Sequence, residues 1–147
     1  MPTLDRTKYA AASGVARGGY VLADSSSGKP DVILMGTGSE ISLCVDAYQQ
    51  LTTQGIKTRL VSMPSWELFD HQDAVYKESV LPAAVKARVA VEQASTFGWE
   101  RYVGSTGRIV GMNTFGASAP LKELQKKFGF TPDAVVAAAQ DTIARSK

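Results

Sequence analysis

Apolar residues along the chain fall into two spacings, and each change of spacing marks an element. After a polar opening stretch punctuated by Gly, Ala and Ser, Gly18-Gly19 gives way to Tyr20-Val21-Leu22. This is a short strand signal, closed by the turn Ser25-Ser26-Ser27-Gly28-Lys29-Pro30. Asp31 to Met35 is a compact apolar run of the kind a strand buried on both faces requires. From Ile41 the period lengthens. Ile41, Cys44, Val45, Tyr48 and Leu51 form one helical stripe, and Gly55 stops it. Thr58 to Met63 returns to the strand pattern and Pro64 ends it, while residues 65–84 read as irregular chain or short helical turns with Pro82 as a breaker. Arg88 to Val91 is a further strand, Phe97, Trp99, Tyr102 and Val103 predict a helix, and Ile109-Val110 is a last short strand. Two helices close the pattern. Leu121, Leu124 and Phe128 stripe the first, which Gly129 stops. Thr131-Pro132 opens the second as N-cap and first helical residue, with Val136, Ala139 and Ile143 as its buried face.

Strands alternating with helical segments predict an α/β domain, a central and largely parallel sheet covered on both faces. A chain of 147 residues, 44% of them hydrophobic, fills such a core without help from a disulfide or a metal. Cys44 is the lone cysteine and His71 the lone histidine, which excludes an intramolecular disulfide, a cysteine cage and a histidine-rich metal site. The formal net charge is +2, with 6 basic and 8 acidic groups up to residue 74 and 10 and 6 after it. Lys122, Lys126 and Lys127 are the only basic cluster, and no aromatic platform interleaves with them, so no nucleic-acid partner is expected. The opening residues carry no apolar stretch of signal-peptide length. The run Ile109 to Leu121 is too short and too rich in Gly, Asn and Pro to span a bilayer. A soluble, cytoplasmic chain with no membrane partner is the expectation.

Candidate chemistry is sparse. Thr37, Gly38, Ser39 and Glu40, after Gly36, join an apolar strand to an amphipathic helix. Glycines permit a sharp turn there, and free N–H groups at a helix start favour an anion or a regulatory ligand. The alternative is structural, since Thr37-x-x-Glu40 reads as a capping box and neither phosphate fingerprint is complete. His71, in Phe69-Asp70-His71-Gln72-Asp73, is either a proton carrier beside two carboxylates or a solvated surface side chain. Cys44 lies on an apolar stripe and reads as a buried, inert thiol rather than a nucleophile. Glu92, at a strand's carboxyl end, occupies the usual ligand side of an α/β sheet, or is structural. Trp99, Tyr102, Phe115 and Ser118 are candidate interface residues, with ordinary packing of helix on sheet as the alternative. No nucleophile, base and orienting acid assemble.

One ordered set of blocks goes further. Arg17-Gly18-Gly19-Tyr20-Val21-Leu22, Gly36-Thr37-Gly38-Ser39-Glu40, Val61-Ser62-Met63-Pro64-Ser65 and Ser79-Val80-Leu81-Pro82 come first. Ala87-Arg88-Val89-Ala90-Val91-Glu92, Thr114-Phe115-Gly116-Ala117-Ser118-Ala119-Pro120 and Phe128-Gly129-Phe130-Thr131 follow. Together they resemble the C-terminal domain of transketolases, from about residue 15 to about residue 143. The resemblance implies a three-layer α/β/α sandwich around a mixed, mostly parallel five-stranded sheet whose first strand is antiparallel. It divides the chain into residues 1–14, a leader or linker from a preceding domain, and residues 15–147, the domain itself. The family transfers a two-carbon ketol unit from ketose phosphates to aldose phosphates, in homodimers of three-domain subunits, with thiamine diphosphate and Mg²⁺. The family's Gly-Asp-Gly metal motif, activating glutamate and phosphate-gripping arginine have no counterpart here. No catalytic, cofactor-binding or metal-ligating residue is therefore carried over, and no cofactor is expected in this chain by itself. The implied partners are the remaining domains, and the implied role is assembly or regulation. The alternative is a free-standing module that binds a phosphorylated metabolite at the turn from Thr37 to Glu40.

Overall fold

The computed structural model describes residues 3–111 and 129–147. Five strands make one sheet: β1 (Tyr20–Asp24), β2 (Val32–Gly36), β3 (Thr58–Ser62), β4 (Arg88–Glu92) and β5 (Arg108–Gly111). Their spatial order is β1-β3-β2-β4-β5. β1 runs antiparallel to β3, with a bulge between Val21 and Ala23, and the other pairs are parallel. The helices among the described residues are α1 (Ile41–Thr53), α2 (Trp66–Asp70), α3 (Ala74–Val80), α4 (Glu100–Val103) and α5 (Pro132–Arg145).

Strand β2 shows why the sheet is central. All five of its residues are buried, and side chains alternate between faces along a strand. Val32 and Leu34 join the core beneath α1 and α5, together with Leu51, Phe130 and Val135. Ile33 and Met35 join the opposite core, with Phe69, Val80, Trp99 and Tyr102 from the α2, α3 and α4 side. The three layers and the antiparallel first strand match the expected sandwich.

Local chemistry sets the helix boundaries. The Oγ of Ser65 accepts from the N–H of Leu68 to start α2, and Asp73 accepts from the N–H of Tyr76 at 2.7 Å to start α3. These caps turn the stretch 65–84 into two defined helices. Thr131 caps α5 through the N–H of Ala134, and Pro132 follows it as the sequence predicts. The α4 segment differs from expectation. Gly98 adopts φ +91°, a left-handed conformation that interrupts a helix, so α4 begins only at Glu100 and Phe97 is left 85% exposed. On α5, Val136 and Ala139 are buried as expected, but Ile143 is half-buried and Val135 and Thr142 are fully covered. The expected helix over Leu121, Leu124 and Phe128 lies outside the described residues.

The opening stretch is packed. A 3-10 turn covers Ala12–Arg17, Tyr9 is only 9% exposed within the α1-side core, and the N–H of Ala10 donates to the carbonyl of Leu22 at 2.9 Å.

Candidate functional site

The chain leaves β2, crosses through α1 to β3 on one side, then returns past β2 to β4 on the other. The two crossovers put their helices on opposite faces and open a crevice at the carboxyl ends of β2 and β4, the usual ligand position in an open α/β sheet. Thr37 to Glu40 and Glu92-Gln93 meet there.

The capping box is not formed. Thr37 is extended and makes no side-chain cap, because a 3-10 turn over Gly38–Glu40 intervenes and Glu40 itself occupies the N-cap position of α1. The Glu40 carboxylate faces elsewhere. It is only 8% exposed, one oxygen accepts from the Ser39 hydroxyl at 3.1 Å, and the other accepts from the backbone N–H of Gln93 at 3.3 Å. Gly38 supplies the left-handed φ of +54° that lets the turn fold back over this carboxylate. Beneath it, Cys44 is fully buried with its Sγ 3.7 Å from the carbonyl of Met35. Burial, reinforced by the charge of Glu40, pushes this thiol far above its ordinary range, so it stays protonated and inert.

Glu92 closes the other side of the crevice. One of its oxygens accepts from the N–H of Ala94 at 2.8 Å and the other from the indole N–H of Trp99 at 3.2 Å. Both oxygens are therefore held in local structure, and Trp99 is anchored by it. Trp99 is fully buried and Tyr102 is 6% exposed. The Trp66 ring packs edge-on against Trp99, with centroids 5.0 Å apart, and tilts against Tyr102 at 5.5 Å. These two candidate interface residues thus belong to the core of their own domain, the packing role the sequence left open for them. Phe115 and Ser118 lie outside the described residues.

His71 is exposed at the end of α2, and its Nδ1 lies 2.7 Å from the carbonyl of Glu67. The acids beside it face away. Asp70 takes the Tyr102 hydroxyl at 2.9 Å and the Arg101 guanidinium at 2.8 Å, while Asp73 caps α3. No proton relay to His71 forms from these carboxylates.

Sequence reasoning missed the two arginines that organise the loops. Arg59 is 9% exposed and pairs with Asp24 at 2.8 Å while donating to the carbonyls of Ser79 and Val80. Arg88 donates to the carbonyls of Leu81, Pro82, Val85 and Tyr102. A cation opening an otherwise apolar strand was the available signal, because such a charge needs a dense set of acceptors.

The crevice and the three-layer frame define an α/β domain in which, among the described residues, the carboxylates at the open sheet edge are engaged in local hydrogen bonds. The chain matches the family described as Transketolase-like TK C-terminal domain over residues 18–131, and it belongs to that family. It is 55% identical over 128 residues to the chloroplastic transketolase of Solanum tuberosum, an alignment covering 86% of this chain and 17% of that protein. Against transketolase 1 of Escherichia coli K12 the identity is 56% over 131 residues, covering 89% and 20%. The transketolase of Pichia stipitis in complex with sedoheptulose 7-phosphate superposes with a TM-score of 0.82 at 42% identity, over 93% of this chain and 19% of that one. The transketolase of Leishmania mexicana gives 0.82 at 41%, over 90% and 19%. The chain thus spans about a fifth of the length of such relatives.

Proposed function

We propose that this chain works as the C-terminal domain of a transketolase, supporting assembly of an enzyme that moves a two-carbon ketol unit between sugar phosphates. The observation that carries the reading is the family match over 18–131 in a chain that spans only about a fifth of its relatives. On this reading its partners are the remaining domains of a homodimeric, cytoplasmic enzyme. Some relatives are named as chloroplastic, so the compartment belongs to each parent protein. No described helix is long and apolar enough to cross a membrane.

Thiamine diphosphate with Mg²⁺ supplies the electron sink in such an enzyme. The described residues do not fit that group. Glu40 and Glu92 have their oxygens engaged by Ser39, Gln93, Ala94 and Trp99. No set of three or more His, Cys, Asp or Glu side chains among the described residues has metal-binding spacing. The described residues are therefore assigned a supporting role, and the chemistry is assigned to other domains.

A chimera tests the proposal. The matching segment of E. coli transketolase 1 is replaced by this chain, and ketol transfer and subunit mass are measured. A dimeric, active chimera is expected, together with no transfer by the 147-residue chain alone. Transfer by the isolated chain, or a folded chimera that stays monomeric and inactive, overturns it.

A second reading keeps the turn at Thr37 to Glu40 as a ligand contact, supported by its place at the crevice between β2 and β4. The acidic lining there, Glu40 and Glu92, works against a bare phosphate. Thermal melting with a panel of sugar phosphates separates the two readings, since a ligand at 100 times its Kd adds about 2.7 kcal/mol. A shift abolished by Gly38→Val supports the second reading, and no shift removes it.

A further inference from the structure

The amino ends of the parallel strands form the edge opposite that crevice, and cavities run along it. The central one, of about 280 Å³, is floored by Pro30, Val85 and Ala87, all buried, and rimmed by Lys29, Lys86 and Lys147. Through Asp31, Ile143 and Lys147 it adjoins a second space of about 410 Å³, and through Val85 and Lys86 a third of about 470 Å³.

The charges are unevenly matched. Among the described residues the ion pairs are made by arginines, and none of the three rim lysines takes part in one. Asp31 is the one acidic side chain lining the central cavity, and one of its oxygens already accepts from the backbone N–H of Lys57 at 2.9 Å. Arg88 borders the third space, but its donors are held by four carbonyls, which leaves the ammonium groups as the available cations. Lysine binds phosphate as a mobile point charge, without the planar fork of arginine. An apolar floor under several ammonium groups suits a ligand with a dianionic head and a short carbon chain.

We propose that this basic edge binds a small organic phosphate ester, its phosphate between Lys29 and Lys86 and its carbon chain over Pro30 and Ala87. The site is carried by the N-terminal edge of the sheet and stands independently of any ketol-transfer role.

Amide resonances of the 147-residue chain are followed while ribose 5-phosphate or inorganic phosphate is added, with sodium chloride and sodium sulfate as controls at matched ionic strength. Saturable shifts at Lys29, Asp31 and residues 84–87 are expected, stronger for the ester than for sulfate. Lys29→Glu with Lys86→Glu should weaken binding at least about tenfold, because attraction becomes repulsion, while Lys8→Glu leaves it unchanged. If the doubly reversed variant fails to fold, Lys29→Gln with Lys86→Gln gives the same reading without reversed charge. Absence of saturation, an equal response to sulfate, shifts at residues 36–40 instead, or undiminished binding in the folded double variant each overturn the proposal.

Discussion

The buried carboxylate of Glu40 accepts from the backbone N–H of Gln93 at 3.3 Å, across 53 positions of sequence. This one contact ties the loop after β2 to the loop after β4 and fixes the width of the crevice between them. Removing it leaves the half-buried Gln93 N–H short of its acceptor, the costlier half of a lost hydrogen bond.

Glu40→Ala should therefore lower unfolding free energy by about 2 kcal/mol, and Glu40→Gln, which keeps a carbonyl acceptor, by about 1 kcal/mol. Urea denaturation at neutral pH reads both values. Equal stability for Glu40→Ala and the parent chain would show that the carboxylate is not what holds the loops.

Arg88 offers a sharper test of geometry. Its Nε donates to Val85 at 2.9 Å and its two terminal nitrogens reach Tyr102 at 2.7 Å and Pro82 at 2.8 Å, which joins the ends of α3 and α4 to β4. Hydrogen bonds from a charged donor are worth about 1.5–3 kcal/mol, and several are lost together. Arg88→Ala should cost about 3 kcal/mol or more. Arg88→Lys should recover less than half, because a point charge cannot span divergent acceptors. Full rescue by lysine in a denaturant titration would contradict this account.

Alkaline pH probes Tyr102. Its hydroxyl is pushed up to about 12, first by burial and then by the hydrogen bond to Asp70 and that carboxylate's charge, with Arg101 opposing. An acid whose folded pKa lies above its unfolded value, here about 10, keeps its proton in the fold after the unfolded chain has lost it. Stability from this group is complete below about pH 10 and declines as pH rises toward 12. Tyr48 and Tyr76 are raised too, so the informative quantity is the difference between the parent chain and Tyr102→Phe. That difference should shrink across the window, and a flat difference would remove Tyr102 as its source.

The legible and illegible parts of the molecule differ in range. The run Asp31 to Met35 announced a doubly buried strand, which begins one residue later at Val32, and Thr131-Pro132 announced a helix start, because those signals are local. The Thr37 to Glu40 turn was legible as a junction but not in its bonding. Its spacing fits a capping box, yet the backbone N–H that donates to Glu40 belongs to Gln93, in the loop after β4 that only the topology brings alongside. Trp99 could be read as surface or core until the fold placed Glu92 under its indole N–H and Trp66 against its ring. The antiparallel direction of β1 came only through family resemblance, since a short apolar run carries no sign of its direction. Arg59 and Arg88 stand out as cations in apolar strands, but their partners do not. Arg59 reaches Asp24, Ser79 and Val80 across long stretches of chain, and the carbonyls of Leu81, Pro82 and Val85, near Arg88 in sequence, are turned toward it only by the fold.

Tyr9 decides where the folding unit begins. The sequence assigns residues 1–14 to a leader or linker, and the family match starts at residue 18. Nevertheless the Tyr9 ring sits in the α1-side core, its hydroxyl accepts from the Gln49 side-chain amide at 2.9 Å, and Ala10 pairs with Leu22 on edge strand β1. Truncating a buried aromatic ring costs about 3 kcal/mol, while deleting only its hydroxyl costs about 1 kcal/mol. Tyr9→Ala and Tyr9→Phe should show those two losses in thermal or chemical denaturation. A chain shortened to residues 15–147 should be destabilised at least as much as Tyr9→Ala, because it also uncovers β1. If the shortened chain melts with the parent, residues 1–14 are a linker that merely rests on the domain. If it melts well below, they are part of the domain, and the unit that must be transplanted in any chimera begins before Tyr9.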